Sequence, residues 1–423
     1  MAILMFDRSS ASPPIDEDAL RLLHRAGSLL LEYNLRTGLL RRRMHELAEF
    51  LGIPLFVDTG YCSISLHTPR GSLHHHAHEL RINVGLNAAV MRVVDDVIAG
   101  HIDIKTALAR LDTVEKTTPR HNRWLLAGIF GAAAAALAIL LSADLGATLT
   151  VALSSALGLL ARQELAKRHV MLFALPFTAA LIGSILGGIV INAGWTATPG
   201  MCLIVPALML VPGPHLINTL YDAIENDMHT ALPRLGLAAG ILLAAASGVF
   251  LGGWLTLGWT TVPAGSSGVT IQLWADMLLA GVAACGFGAF YNAPWHVLWT
   301  SIIAGMVGHG IRYVCLQHGM PLETSTLLAC FTIGIISSVM VKRLRVQFAA
   351  VAFAGAVPMM PGVLMYQGIG GAMQIALSHG NATAQLVDFT SYNIVKASFV
   401  VGAMAIGLVL GERITRLLRG PAH

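Results

Sequence analysis

The stretch Val205-Pro206-Ala207-Leu208-Met209-Leu210-Val211-Pro212-Gly213-Pro214 breaks an apolar run with Pro-Gly, and Ala354-Gly355-Ala356-Val357-Pro358-Met359-Met360-Pro361-Gly362-Val363 does so again. Proline removes a backbone donor and clashes with the preceding turn, and glycine lets the chain redirect, so each copy ends one helix and starts another. Each follows a hydrophobic run and precedes a segment carrying Asn, Asp, Tyr or Gln. Inside a bilayer the freed N–H and C=O groups cannot be left to lipid and must face protein or a wet cavity. A hydrophobic helix interrupted at matching places in two halves of a chain is the sequence-level mark of a transporter's binding site.

Composition puts these breaks in a membrane. Of 423 residues, 55% are hydrophobic and only 12% charged, and the mean hydropathy is +0.68. That is more apolar surface than a soluble protein buries. A net charge of +4 is too diffuse to suggest nucleic acid as a partner. Cys62, Cys202, Cys285, Cys315 and Cys330 are scattered without a CxxC pair, which argues against a disulfide framework or a zinc site. Met1 to Ser12 carries Asp7 and Arg8 and no long apolar core, so no signal peptide is expected. There is no GxxxxGK[ST], so ATP is not expected to drive anything directly, and no cofactor is called for.

The apolarity begins after about Arg123, and residues 1–120 read as a small α+β domain. Helical spacing predicts helices over Ile15–Tyr33 and Leu39–Leu51. Strands are expected at Leu55–Asp58, Tyr61–His67 and Ser72–Val84, with a hairpin turn at Asp58-Thr59-Gly60. Helices at Asn87–Ile98 and Ile104–Val114 close the domain. His74, His75, His76 and His78 lack a nearby Cys and have little carboxylate support beyond Glu79, so a solvated polar strand is expected rather than a metal site. The run Arg41-Arg42-Arg43 reads as a solvated helix face leaning on anionic lipid.

Apolar runs of about the ~20 residues that a bilayer needs follow at Leu125–Leu141, Leu145–Ala161, Val170–Ile191, Pro199–Asp227 (broken) and Leu232–Leu255. After a polar loop with Pro263 and Gly265-Ser266-Ser267-Gly268 come Ile271–Phe290, His296–Cys315, Thr324–Val341, Gln347–Leu377 (broken) and Ser391–Leu410. The fold class expected is therefore a polytopic α-helical membrane protein of about ten spans. If the spans alternate, Arg120, Arg123, Arg162, Lys167, Arg168, Arg234, Lys342, Arg343, Arg345, Arg413, Arg416 and Arg419 fall on one side, with Arg312 the exception. Both termini and the soluble domain are accordingly expected to be cytoplasmic. An odd number of spans per half turns the second half (261–423) upside down relative to the first (121–260). The halves then form two inverted five-helix repeats, and the breaks approach from opposite sides, as alternating access requires.

The restarted helices carry the expected chemistry. Their free N–H groups and positive dipole ends attract a carboxylate, and Pro214 suits a first turn. The first carries His215, Asn218, Thr219, Asp222, Glu225 and Asp227, of which Asn218, Asp222 and Glu225 recur at helical spacing, and the second carries Tyr366, Gln367 and Gln374. The substrate-binding residues expected are Pro212, Gly213, His215, Asn218, Asp222, Pro361, Gly362, Tyr366 and Gln367, with Asn393 and Lys396 on a polar stripe of the last span. A zwitterion would place its carboxylate on a helix N-terminus and its ammonium on Asp222. Lys396 would bind a carboxylate or act as counter-ion to Asp222 or Asp276. Asp222, Asp276 and His309 are the proton-coupling candidates, because ionisable groups at membrane depth are functional by default. Arg312 and Lys396 are functional candidates on the same ground, although Asp276 and Arg312 lie nearer span ends, where they can snorkel. A serine-protease reading of Gly265-Ser-Ser-Gly268 fails because the loop lies outside the spans with no His to activate it, so no enzyme is expected.

These parts in this order resemble the threonine/serine exporter (ThrE) family over nearly the whole chain. The resemblance rests on Ala19-Leu-Arg-Leu-Leu-His-Arg-Ala-Gly27, Met44-His-Glu-Leu-Ala-Glu-Phe-Leu-Gly52, Val211-Pro-Gly-Pro-His-Leu-Ile-Asn218 and Pro358-Met-Met-Pro-Gly362. One departure is Gly38-Leu39-Leu40-Arg41, where the family pattern carries an Arg-x-Glu-like element. The resemblance implies an antiporter of the bacterial inner membrane that exports threonine and serine on the proton motive force. Split relatives imply dicarboxylates such as succinate as the alternative substrate. The partners implied are that small molecule and the lipid bilayer, with a homo-oligomer left open.

Overall fold

A computed structural model describes residues 16–258, 271–344 and 348–418. The stretch Met1–Ser12, Pro263, the Gly265–Gly268 loop, Arg345, Arg419 and the side chains of Lys342 and Arg343 lie outside the described residues. The chain divides into two compact units. One comprises the described residues up to Arg120 together with Tyr221–Pro233, and the other His121–Leu220 with the described residues from Arg234 onward.

In the first unit α1 (Glu17–Glu32) and α2 (Thr37–Phe50) lead into β1 (Phe56–Thr59), β2 (Ser63–Thr68) and β3 (Gly71–His76), followed by α3 (Val84–Ile98) and α4 (Ile104–Thr117). The sheet is antiparallel in the order β1-β2-β3, with Val57 opposite Leu66 and Ile64 opposite His75. Alternation buries Ile64 and Leu66 of β2, and the stripe Leu22, Leu23, Ala26, Leu29 and Leu30 of α1 is buried with them in one core. The third strand ends at His76, eight residues short of the expected Val84. The Asn83 side chain accepts from Leu86 N–H at 3.0 Å, and this cap draws Val84–Leu86 into α3. His74 pairs with Ser65 at 2.8 Å and His75 with Glu32 at 2.8 Å. The basic run on α2 is not a bare solvated face: Arg43 contacts Glu46 and Asp95 at 2.9 and 3.0 Å, and Arg41 pairs with Asp227.

The second unit is helical: α5 (Arg123–Leu140), α6 (Leu145–Lys167), α7 (Ala174–Asn192), α8 (Pro199–Leu208), α9 (Gly213–Ile224), α10 (Met228–Leu257), α11 (Leu273–Phe290), α12 (Trp295–Gln317), α13 (Leu322–Leu344), α14 (Phe348–Ala356), a 3-10 turn (Val357–Met359), α15 (Gly362–Leu377) and α16 (Ala384–Leu418). The last turn of α9 and the first of α10 belong to the first unit. Each of the ten expected apolar segments is helical. Among the described residues seven helices are long and apolar enough to cross a membrane, and eight if α8 and α9, bent by 58°, count as one span. Polar residues such as His296, His309 and Arg312 lower the hydropathy of α12, which is not among them.

Small residues let these helices approach. Gly248 and Gly252 of α10 meet Ala180 and Ser184 of α7, and Gly407 and Gly411 of α16 meet Cys330 and Gly334 of α13. Likewise α6 packs on α5, α7 and α8 in the first half, as α12 packs on α11, α13 and α14 in the second. The halves touch where Gly286 of α11 abuts Ala133 of α5.

Asp144 ties the start of α6 to the loop before α8. It accepts from Ala147 N–H at 2.7 Å, from the Thr196 hydroxyl at 3.0 Å and from Ala197 N–H. Burial disfavours its ionised form, but these N–H and O–H donors hold the carboxyl below the usual carboxylate range. A depressed folded pKa contributes stability that is full above the ordinary value and lost as pH falls through the folded one. Replacing Asp144 by alanine is therefore expected to cost about 1 kcal/mol at pH 7. The gap to wild type should close on acidification below about pH 4. Thermal unfolding across pH checks this, and a gap unchanged at low pH would contradict it.

Candidate functional site

The two breaks share one hydrogen-bond pattern. In the first, Val211 N–H donates to Leu208 C=O at 3.2 Å, Gly213 N–H to Val211 C=O at 2.8 Å, and Leu216 N–H to Pro212 C=O at 3.1 Å. In the second, Met360 donates to Val357 at 2.9 Å, Gly362 to Met360 at 2.8 Å, and Met365 to Pro361 at 3.0 Å. Each is thus a tight three-residue turn centred on its proline, with Pro361 at φ −78° and ψ 48°, between a closing and an opening helix. The prolines lack the N–H that would have continued the ladder, and each stands immediately before the first residue of the next helix, Gly213 or Gly362.

The breaks also meet. A Cβ on Gly213 would lie 2.8 Å from Phe353 and 3.1 Å from Met360, beside the second break. One on Gly362 would lie 2.7 Å from Leu208 and 3.4 Å from Val211, beside the first. Tyr366, buried one turn into α15, donates its hydroxyl to Ala207 C=O at 3.0 Å, near the end of α8. Each glycine leaves room for side chains on or beside the other break, which occupy the space that its own Cβ would fill.

Two cavities flank α15. A small one of about 90 Å³ is lined by Leu208 and Val211 of the first break, Pro358 and Gly362 of the second, and His309 and Arg312 of α12. His309 Nδ1 lies 2.6 Å from Asp276 Oδ2, with both residues largely buried. A larger one of about 960 Å³ lies between α8, α10, α15 and the start of α16, and Tyr366, Gln367, Gln374, Ser378 and Gln385 give it a polar, uncharged wall.

The expected site residues divide into those these breaks gather and those held elsewhere. Pro212, Gly213, Pro361, Gly362, Tyr366 and Gln367 lie at or beside the breaks, and Asp276 is linked to them through His309. His215 and Asn218 are buried in α9, and His215 Nδ1 has no hydrogen-bond partner among the described residues. Asn393 is buried and donates to Phe389 C=O of its own helix at 2.8 Å.

Asp222 and Lys396 have other partners. Asp222 is fully buried in the first unit, where Oδ2 accepts from Thr37 at 3.3 Å and Thr230 at 3.1 Å. It is the centre of a set: Arg36 lies 3.4 Å from Glu225 and 4.5 Å over the Tyr221 ring, Arg41 pairs with Asp227, and His229 meets Thr59 C=O at 2.9 Å. Lys396 pairs with Glu323 of α13 at 3.5 Å rather than with Asp222 or Asp276. Glu323 stands in the first turn of α13. Arg312 had a usable signal, standing three residues after His309 on one helical face.

Compared with known proteins, residues 21–255 match the family model described as "Putative threonine/serine exporter". Residues 276–414 match a second, "Threonine/Serine exporter, ThrE". No solved structure matches the chain.

Proposed function

This chain belongs to the threonine/serine exporter family, and on that premise we propose that it exports threonine and serine from the cytoplasm as a proton-coupled antiporter of the bacterial inner membrane. Family and apolar helices together support a multi-pass membrane protein that acts as a transporter rather than an enzyme. The observation that carries the finer reading is the meeting of the two Pro-Gly breaks around one small cavity beside His309 and Asp276.

The halves act as inverted five-helix repeats in a ten-span bundle, with domains at 1–120, 121–260 and 261–423 and both termini cytoplasmic. Matched helix pairings and the identical hydrogen bonds of the breaks support this. The closing helices α8 and α14 offer freed carbonyls to an ammonium, and the opening helices α9 and α15 offer N–H groups and a positive dipole to a carboxylate. A small zwitterion complements both. Tyr366 and Gln367 line the large cavity on the same helix, α15, whose Gly362 lines the small one, and the large cavity serves as the access path. The His309–Asp276 pair carries the coupling proton. Asp222 holds the end of α9 to α2 instead of binding the ammonium, and Asn393 and Lys396 support α15 and α13.

Everted membrane vesicles test this. Labelled threonine is expected to accumulate under an inward proton pump and to be lost on adding a protonophore. Asp276→Asn is expected to abolish gradient-driven accumulation at least tenfold while threonine exchange without a gradient persists. No accumulation of threonine or serine by wild type would overturn the reading.

A further inference from the structure

We propose that the Arg312 guanidinium is the anchor for the substrate carboxylate, a specificity-determining contact within the small cavity where the two breaks meet. For the identity of the substrate this rests on the transport reading above, and the carboxylate recognition stands on the geometry.

A charge at membrane depth is costly and is kept where it has a partner or a task. Arg312 lines the cavity together with Leu208 and Val211 of one break and Pro358 and Gly362 of the other. Its Nε is buried and has no hydrogen-bond partner among the described residues. The carboxylate on the adjacent face, Asp276, is engaged by His309 at 2.6 Å. The other cation expected near the breaks, Lys396, is paired with Glu323 at 3.5 Å. Arg162, a third, lies 4.9 Å over the Phe290 ring. Arg312 is thus the cation on the cavity wall with donors left over.

A snorkelling side chain keeps its polar end in the headgroups, whereas a buried Nε on a cavity wall places the guanidinium where a ligand sits. The planar fork matches a carboxylate through two parallel N–H···O bonds, which an ammonium cannot reproduce. The Gly362 end of α15 lines the same cavity, so its helix N-terminus adds to the same anion-binding corner. With a zwitterion in place, the carboxylate faces Arg312 and α15, and the ammonium faces the freed carbonyls at the ends of α8 and the 3-10 turn. The ligand class is a small α-amino acid whose carboxylate is indispensable.

The test compares threonine with threoninol, which lacks the carboxylate, on wild type, Arg312→Gln and Arg312→Lys. In vesicles, threonine is expected to compete with labelled threonine on wild type and threoninol to compete at least tenfold less well. Arg312→Gln should raise the KM for threonine about tenfold or more and erase the preference over threoninol, and Arg312→Lys should fall between. On the purified full chain, thermal stabilisation by threonine, with succinate as a second carboxylate probe, should depend on Arg312 in the same order. Carboxylate-dependent stabilisation that Arg312→Gln abolishes, without transport by wild type, would retain the anchor and remove only the transport reading. Wild-type transport that does not distinguish threonine from threoninol would overturn the anchor. So would an unchanged KM in Arg312→Gln, or in Arg312→Lys should the glutamine variant not fold.

Discussion

Valine in place of Gly362 is expected to reduce threonine transport at least tenfold while the protein still folds and inserts. Its Cβ alone would stand 2.7 Å from Leu208 and 3.4 Å from Val211. Leu208 can yield a few tenths of an ångström to one methyl, but the branched side chain must displace both residues and push the breaks apart. Overpacking of this kind costs about 1–3 kcal/mol. Spent at the point where the two broken helices touch, it also closes the cavity. Gly213→Val should behave alike, because Phe353 and Met360 occupy that space. Gly402→Val on α16 is the control, since a Cβ there meets nothing within 4 Å. Transport by Gly362→Val equal to that of the control would contradict the close approach.

The second large effect lies in the first unit. Arg41→Asp is expected to lower transport several-fold and to reduce stability by about 1–3 kcal/mol. Asp227 is nearly buried and loses its partner, while Arg41 is about one-third exposed, which keeps the effect below that of a fully buried pair. The reversed pair Arg41→Asp with Asp227→Arg should recover much of both, as a direct interaction requires. The reach of this change into transport follows from chain continuity: α9 starts at the first break and ends in the turn that α2 holds. Failure of the double variant to recover anything beyond either single one would remove the pair as the cause.

Sequence carried the helices well because their signals are local. The Pro-Gly breaks fell where proline chemistry puts them, and every expected apolar segment is helical. It carried the partners of the charges poorly, because pairing is decided by tertiary approach. Asp222 looks like a membrane-depth ligand when α9 is read alone. It becomes a partner of Thr37 only when the basic start of α2 is brought to the acidic turn 222–227. The legible signal was charge complementarity between Arg36, Arg41 and Glu225, Asp227, separated by about 185 residues. Lys396 shows the same limit, since one polar stripe on α16 does not say that Glu323 of α13 lies opposite. Strand β3 was overrun because hydrophobic alternation does not register where pairing stops: the ladder with β2 ends at Ser63 opposite His76, and the Asn83 cap gives Val84–Leu86 to α3.

If the protein works as proposed, both Pro-Gly breaks face one ligand. Val211→Cys and Val363→Cys, placed singly in a chain stripped of its five native cysteines, put one thiol on each break's wall of the small cavity. Reaction with a small thiol reagent is to be followed with and without threonine. Threonine is expected to protect both positions with the same concentration dependence, and alanine more weakly. Protection of one position alone, or of neither while transport persists, would contradict it.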